Sequence, residues 1–472
     1  MSEPIISVSG LRGVVGTQLT PATLTRYLSA FCATLPPGPV VLSRDGRESG
    51  PMFKAAAIAT LVGHGKTVLD ADVTATPTVG VLVRALSAVG GIQLTASHNP
   101  RQYNGIKLFD ANGRVLAAAV GAKIRDAYDS FESRWVGVEA LGQVHAIELP
   151  HEGHRDRVLK TVAAWPIRHH KFRVLLDVNH GSGGALGRDL LESLGCEVTV
   201  LGETPDGQFE HPPEPVEANL REVAAKVAEG NYDVGFCQDP DADRLAIIDA
   251  QGRYIGEEYT AVLCMLNELE KRAAILAEKN LAPTLGPRTL VTNCASSSLS
   301  QHLATQFDVP LVRSAVGEAN VVDAMIEHAA LYGGEGSGGP IDPRIGWVRD
   351  SFVGMAQTLE LMTRRGQPLA QIVDALPRFA MIKDKIDLGE VDLNNAVAAI
   401  LAGMKDAVPG VAPEISTLDG LRLDWPDAWL LVRGSNTEPL VRLICEAGDE
   451  STARSLVDRA RSLVATSSAA RR

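Results

Sequence analysis

One arrangement recurs three times along the chain and constrains its fold more than any other feature. A β-rich run ends in a polar loop, a helical stretch and a second β-rich run follow, and after another helix a third strand opens into a loop of small and reactive residues. In the first unit, "PVVLSRDGRES", "MFKAAAIATLVGHG" and "KTVLDAD" lead to "GGIQL" and then "TASHNP". In the second, "FRVLLDVNHGSGG", "GRDLLESLG" and "CEVTVLGET" lead to "YDVGFCQ" and then "DPDADR". In the third, "RTLVTNCASSS" and "VPLVRSAVGE" lead to "AALYG", which opens into "GEGSGGP". Alternating strands and helices are the signature of an α/β architecture, and recurrence at this scale marks repeated structural units. Ligands of open α/β sheets sit at the carboxyl ends of strands, so the three equivalent loops are expected to face one shared cleft.

From about residue 376 the pattern changes. "FAMIKDKIDL", "GLRLDWPDAWLLVRGS" and "PLVRLICEAG" read as strands, and "STARSLVDRARSLVA" as an amphipathic helix. The expectation is three related α/β domains with mixed sheets around a central cleft, plus a smaller α+β domain with an antiparallel sheet. The boundaries fall at 1–150, 151–256, 257–375 and 376–472, a number of domains that fits the length of 472 residues. "LAIIDAQGRYI" reads as a strand, a turn at Gln251-Gly252 and a return strand, and the terminal "ATSSAARR" as a frayed tail.

A net charge of −12 and the lack of basic runs argue against nucleic acid and anionic membrane as partners. No stretch of about 18 apolar residues suggests a membrane span. The opening "MSEPIISVSG" has no signal-peptide pattern. Six cysteines without a C-x-x-C suggest reduced thiols and a cytoplasmic setting.

The loops carry chemistry-bearing groups. Asp239, Asp241 and Asp243 stand at i, i+2 and i+4 with Arg244 beside them. Three carboxylates this close need a cation, and Mg²⁺ takes oxygen ligands while keeping positions for water or phosphate. An EF-hand loop would need Gly where Arg244 stands; a solvated acidic turn is the other alternative. Ser97 in "TASHNP" has His98 and Asn99 as neighbours. It lacks a G-x-S-x-G context, so it reads either as a hydroxyl that carries phosphate opposite a metal or as an Asx-turn closed by Pro100. Lys107, ending "YNGIK", could neutralise phosphoryl charge or sit on the surface. Glu335 and Ser337 lie among glycines that let a ligand approach closely. In "RGSNTEP", Arg433, Ser435, Asn436 and Thr437 make a phosphate clamp or a hairpin turn, and Arg12 sits in the glycine-flanked "SGLRG".

These segments, in their order along the chain, resemble the α-D-phosphohexomutase family, which includes phosphoglucomutases, phosphomannomutases and phosphoglucosamine mutases. The resemblance runs from "SGLRG" to "RGSNTEP" and is most specific at "TASHNP" and "DPDADR". It implies four domains around a deep cleft and a phosphoserine at Ser97, with Mg²⁺ held by Asp239, Asp241, Asp243 and a phosphoserine oxygen. Arg12, His98, Lys107 and Arg244 match active-site positions, and Glu335 and Ser337 match the sugar-binding loop. Arg433, Ser435, Asn436 and Thr437 match the loop that holds the non-transferred phosphate. The implied reaction moves a phosphoryl group between O6 and O1 of a hexose through a 1,6-bisphosphate, which also serves as activator.

"NGIK" and "VRSAVGEANVVDAM" are more similar to phosphoglucosamine mutases, and the Asn of "RGSNTEP" to phosphomannomutase/phosphoglucomutase enzymes. Glucosamine 6-phosphate is therefore the expected substrate, with mannose and glucose phosphates as the alternative. Many members carry His two residues after the loop serine; here that residue is Gly339, which leaves Lys107 as the acid/base candidate. A metal-dependent sugar phosphatase and a non-catalytic sugar-phosphate-binding protein are the more distant alternatives. The chain is expected to be a monomer or homodimer whose fourth domain rotates on substrate binding.

Overall fold

The computed structural model describes residues 4–7, 10–130, 134–283, 286–388, 392–408, 410–434 and 440–469, the last four of these by backbone only. They form four β-sheets.

The first three sheets share one plan. In the first, the order Tyr103–Phe109, Gly90–Leu94, Val40–Arg44, Val68–Val73 forms the centre, with Gly10–Val14 and Ile5–Ser7 added beyond one edge and Val144–Ala146 beyond the other. The second sheet runs Leu245–Asp249, Val234–Gln238, Arg173–Asp177, Glu197–Leu201. The third runs Gly339–Ile341, Tyr332–Glu335, Leu290–Asn293, Leu311–Ser314. In each sheet the strand ending in a reactive loop lies parallel to the unit's first strand, and the chain returns antiparallel on its other side. Helices cross between the parallel strands, as such connections require. The central strands Gly90–Leu94, Val234–Gln238 and Tyr332–Glu335 are buried along their whole length, which is why their sequences lack polar alternation.

The fourth sheet is antiparallel: Ala380–Asp387, Leu440–Ala447, Ala428–Gly434, Leu421–Trp425 and Glu414–Ser416, in that order. The helices Leu393–Met404 and Glu450–Ala469 pack on it.

Two expectations change. After Gln251-Gly252 no return strand forms; a single bridge joins Ile248 to Tyr254 before Gly256 turns the chain into the helix Glu257–Glu278. The expected frayed tail is helical through Ala469. Ala453, Leu456, Val457, Ala460 and Val464 anchor that helix to the fourth core, and a packed helix extends through the serines at little cost because propagation is cheap once nucleation is past.

Cores follow this division only for the fourth sheet. A single hydrophobic core runs from Ala75 and Val81 through the second and third sheets to Leu376. The fourth sheet has its own core and meets the third through a small cluster of Cys294, Trp429 and Leu431. All six cysteines are buried and unpaired. Among the described residues no helix is long and apolar enough to cross a membrane.

Candidate active site

Strand order brings the loops together. The strand Gly90–Leu94 leads into "TASHNP", where Ser97 adopts a left-handed backbone with φ 49° and Asn99 N–H donates to the Ala96 carbonyl at 3.1 Å. The segment is thus a turn, and the turn carries the serine. Such a backbone costs a non-glycine residue about 1–3 kcal/mol, and the neighbours hold it there. Ser97 N–H donates to Thr95 Oγ1 at 2.8 Å. Arg47, from the adjacent strand-end loop, donates to the carbonyls of Ser97 and Asn99 at 2.6 Å each and of Pro100 at 2.9 Å. Asp45 Oδ2 anchors both Arg47 at 3.1 Å and Thr95 at 2.7 Å.

"DPDADR" closes on itself through Asp239, whose Oδ1 accepts from the Asp243 and Arg244 amides, both at 3.1 Å. Its Oδ2 accepts from the Ser97 hydroxyl at 2.8 Å. Ligand atoms of Asp239, Asp241 and Asp243 lie within 4.8 Å of one another, and all three residues are buried. Asp241 Oδ1 and Asp243 Oδ1 are buried without a hydrogen-bond partner. Orphaned carboxylate oxygens are costly in a dry interior, and hard oxygen donors converging in this way fit a divalent cation such as Mg²⁺.

The other carboxylate oxygens are occupied. Lys107 Nζ lies 2.6 Å from Asp241 Oδ2 and 2.6 Å from Asp243 Oδ2. Thr76 Oγ1 donates to Asp241 Oδ2 at 2.5 Å, and Arg349 Nη2 to Asp243 Oδ2 at 2.7 Å. Burial, then the neighbouring Asp241 and Asp243, push Asp239 well above the usual carboxylate range. Burial acts to raise Asp243 as well, but Arg349, Lys107 and Arg244 outweigh it and lower that group. For Lys107 burial opposes the charge, yet Asp241 and Asp243 win and raise it; it is a charged proton donor here, buried rather than a surface lysine.

Arg12 and Lys107 come from paired antiparallel strands in which Gly10 faces Lys107 and Arg12 faces Gly105, so both side chains share a face. Arg12 Nη1 donates to Asn99 Oδ1 at 3.1 Å. Arg244 Nε stands 4.0 Å from Asp243 Oδ1. His98 Nδ1 is 3.3 Å from Ser97 Oγ; burial, then the cations Arg244 and Arg12, lower it to about 2, so the imidazole is neutral.

A cleft of about 820 Å³ opens over this centre. Arg12, Lys107, Arg244 and Arg349 line it from one side, Glu335 and Ser337 from the glycine-rich loop, and Arg433 from the fourth sheet. Glu335 Oε1 accepts from Asn293 Nδ2 at 2.8 Å and its Oε2 from Arg349 Nη1 at 2.9 Å. The loop is pressed against the strand that follows the aspartates: Leu245 N–H donates to the Gly338 carbonyl at 2.8 Å, and Gly338 has φ 82°. Arg433 is tethered by Asp419, with Nε–Oδ2 at 3.2 Å. Ser435, Asn436 and Thr437 lie outside the described residues.

Sequence reasoning missed Arg47, Glu258, Glu318 and Arg349. Glu258 and Glu318 also line the cleft, and burial raises Glu258 to about 8. The one available signal was that Arg47 lies in the polar loop that ends its unit's first strand.

With this geometry in place, comparison with known proteins decides the family. The chain matches the phosphoglucomutase/phosphomannomutase family over all four of its domains: alpha/beta/alpha domain I at residues 5–135, domain II at 152–252, domain III at 270–379 and the C-terminal domain at 388–463. It belongs to this family. As a member it is an isomerase of the phosphohexomutase class. A phosphoglucomutase/phosphomannomutase of Thermococcus kodakarensis is 32% identical, over 95% of this chain and 96% of its own. A probable phosphoglucosamine mutase of Methanopyrus kandleri is 30% identical over 95% of both. The crystal structure of a putative phosphomannomutase from Thermus thermophilus, 25% identical, matches with a TM-score of 0.79 over 98% of this chain and 99% of that one.

Proposed function

We propose that this phosphohexomutase interconverts glucosamine 6-phosphate and glucosamine 1-phosphate through a phosphoserine at Ser97 and a hexose 1,6-bisphosphate. The observation that carries the mechanism is the 2.8 Å contact between Ser97 Oγ and Asp239, within a cluster whose remaining oxygens fit a divalent cation. Asp239, Asp241, Asp243 and a phosphoserine oxygen would hold Mg²⁺, which when bound withdraws charge from phosphoryl oxygens.

The rest of the chemistry belongs to the chain. In the first transfer a sugar hydroxyl oxygen forms a bond to the phosphoserine phosphorus as the bond to Ser97 Oγ breaks; the hydroxyl proton leaves and the serine oxygen gains one. In the second, after the bisphosphate has turned over, Ser97 Oγ forms a bond to the other phosphorus as that phosphorus's bond to the sugar oxygen breaks; the serine gives up its proton and the sugar oxygen takes one. Lys107 carries positive charge to the centre and has a proton to give. Arg12 and Arg244 neutralise the phosphoryl group, and neutral His98 packs beside the serine. Glu335 and Ser337 hold the sugar's hydroxyls. Arg433, with Ser435, Asn436 and Thr437, clamps the phosphate that is not being transferred. After the bisphosphate turns over, the clamp accepts the other phosphate, because it recognises phosphate alone.

The choice of the amino sugar rests on the similarity of "NGIK" and "VRSAVGEANVVDAM" to phosphoglucosamine mutases. The Methanopyrus kandleri relative, named a probable phosphoglucosamine mutase, supports the same choice. The test supplies Mg²⁺ and a trace of hexose 1,6-bisphosphate with glucosamine 6-phosphate, mannose 1-phosphate or glucose 1-phosphate in turn, and follows isomerisation and free phosphate. Fastest isomerisation is expected with glucosamine 6-phosphate. Phosphate release in place of isomerisation would overturn the mutase mechanism, and a preference for mannose or glucose phosphate would overturn the choice of sugar.

A further inference from the structure

Arg349 has a contact set that ordinary packing does not require. Its Nη1 donates to Glu335 Oε2 at 2.9 Å and reaches Ser337 Oγ at 3.4 Å, both on the sugar loop. Its Nη2 donates to Asp243 Oδ2 at 2.7 Å, and its Nε stands 3.4 Å from Glu318 Oε2. One planar cation therefore spans the loop after the third unit's strand and the carboxylate cluster of the second. A guanidinium is rigid and holds its donors in a fixed fork, so it sets the distance between the groups it joins.

The chain fixes this side chain from below. Arg349 N–H donates to Glu318 Oε1 at 2.8 Å, and Asp350 N–H to the Pro340 carbonyl at 2.8 Å. Asp350 caps the helix Ser351–Arg365 through Oδ1, 2.9 Å from Phe352 N, and its Oδ2 lies 2.8 Å from His154 Nε2. Space for the side chain comes from Gly339, where an added β-carbon would fall 2.7 Å from Arg349 Cγ and 2.9 Å from its Cβ. Real carbons do not approach so closely, so any other residue at 339 would displace the arginine.

The split at Asp243 gives the arrangement a use. Oδ2 is taken by Lys107 and Arg349, while Oδ1 is buried with no hydrogen-bond partner. Groups behind a metal ligand orient it and tune its affinity; Arg349 selects which oxygen of Asp243 is left to face a cation.

We infer that Arg349 is a positioning residue that ties the sugar loop to Asp243, so that hexose phosphate bound at Glu335 and Ser337 and the divalent cation bound at the aspartates strengthen each other through it. The inference rests on the mutase reading of this cleft. Coupling between two binding sites is reciprocal and is commonly about 5–150-fold in affinity.

The test measures Mg²⁺ binding by titration calorimetry in the Ser97→Ala protein, where turnover cannot interfere, with and without saturating glucosamine 6-phosphate, mannose 1-phosphate or glucose 1-phosphate. The sugar phosphate is expected to tighten Mg²⁺ binding by about fivefold or more. Arg349→Met is expected to cut that factor by more than about threefold, and Arg349→Lys to cut it less, because a lysine keeps the charge but not the fork. Gly339→Ala, which keeps the charge and moves the guanidinium, is expected to act like Arg349→Met; it also carries the test if the Met variant does not fold. A coupling factor that stays within about threefold of the parent in Arg349→Met and Gly339→Ala, or a parent that binds sugar phosphate without any coupling, overturns the inference and leaves the mutase reading standing. Failure of all three sugar phosphates to bind overturns that reading, and this inference with it.

Discussion

The two walls of the cleft are built on different terms. The serine and aspartate side is dense with cross-links: Thr76 holds Asp241, Lys107 and Arg349 hold Asp243, and Arg47 holds four backbone carbonyls of the serine loop, at Ser97, Asn99, Pro100 and Tyr103. Behind it, one continuous core joins the second and third sheets and reaches into the first. The fourth wall, which carries Arg433, has a separate core. It is joined to the third by a small apolar cluster and a few polar contacts, such as Ser298 N–H to Glu446 Oε1 at 2.8 Å and Val316 N–H to Asp419 Oδ2 at 3.0 Å. Separate cores with a modest polar interface permit relative motion. Chemistry that transfers a phosphoryl group needs fixed geometry, whereas the proposed clamp, which would release and retake a turned-over intermediate, needs a wall that yields. Damage should therefore appear as lost catalysis or stability on the first wall, and as weakened substrate binding on the other.

The largest effect is expected from Ser97→Ala, which removes the proposed phosphate carrier while leaving a compact fold: isomerisation should fall to background with an unchanged melting profile. Normal turnover in that variant would end the phosphoserine mechanism. Arg47→Ala comes next. Arg47 is 1% exposed, and its loss leaves the buried Asp45 unpaired. Breaking such a pair by removing one partner costs about 3–5 kcal/mol. The first thermal transition should drop and proteolysis at the serine loop should accelerate; a variant as stable and as active as the parent would show that the loop is held by other means.

The legibility of the sequence divides along a similar line. Ser97, the three aspartates and Glu335 were readable because each stands in a loop at the end of a buried strand, and repetition of one unit makes such loops equivalent. The sheets place them together for the same reason: Gly90–Leu94, Val234–Gln238 and Tyr332–Glu335 occupy the same place in the three strand orders. Arg349 was not readable. It lies 106 positions from Asp243, in a stretch with no motif of its own, and its importance comes from a glycine that leaves room for it. Arg47 stood in view within "SRDGRES", but its role depends on Val40–Arg44 running parallel to Gly90–Leu94, a pairing that local pattern does not specify. Glu258 and Glu318 are first-turn acids of their helices, and only the packing of the third unit turns them toward the cleft.

On the yielding wall, Asp419→Ala frees Arg433. Asp419 holds that guanidinium through contacts of 3.2 and 3.3 Å and also accepts the Val316 amide. Without it, Arg433 must be ordered by the substrate's phosphate at each binding event. KM should rise about tenfold, equivalent to roughly 1.4 kcal/mol, while kcat changes little, because ground-state and transition-state binding are weakened alike. A fall in kcat with KM unchanged would place Arg433 in the chemical step and erase the contrast between the walls.

The smallest expected effect tests the seam where the two walls meet. Glu258 lies under Gly336, accepts the Ser297 amide at 3.0 Å and stands 3.4 Å from Lys383 of the fourth sheet. Burial raises its carboxyl from 4.5 to about 8, against the pull of Lys383. Between those values the folded protein keeps a proton that the unfolded chain gives up. The group's stabilising contribution is thus complete below about 4.5 and is lost as pH climbs through 8. Glu258→Gln cannot ionise and should still accept the Ser297 amide. Its melting temperature should match the parent's near the acid end of that window, exceed it increasingly as pH rises, and hold a constant margin of a few degrees above it. The seam then keeps its strength at alkaline pH in the variant while the parent's loosens. A margin that does not change with pH would mean that the Glu258 carboxyl titrates as it does in water, and that the contact between the third and fourth sheets is open to solvent at this point.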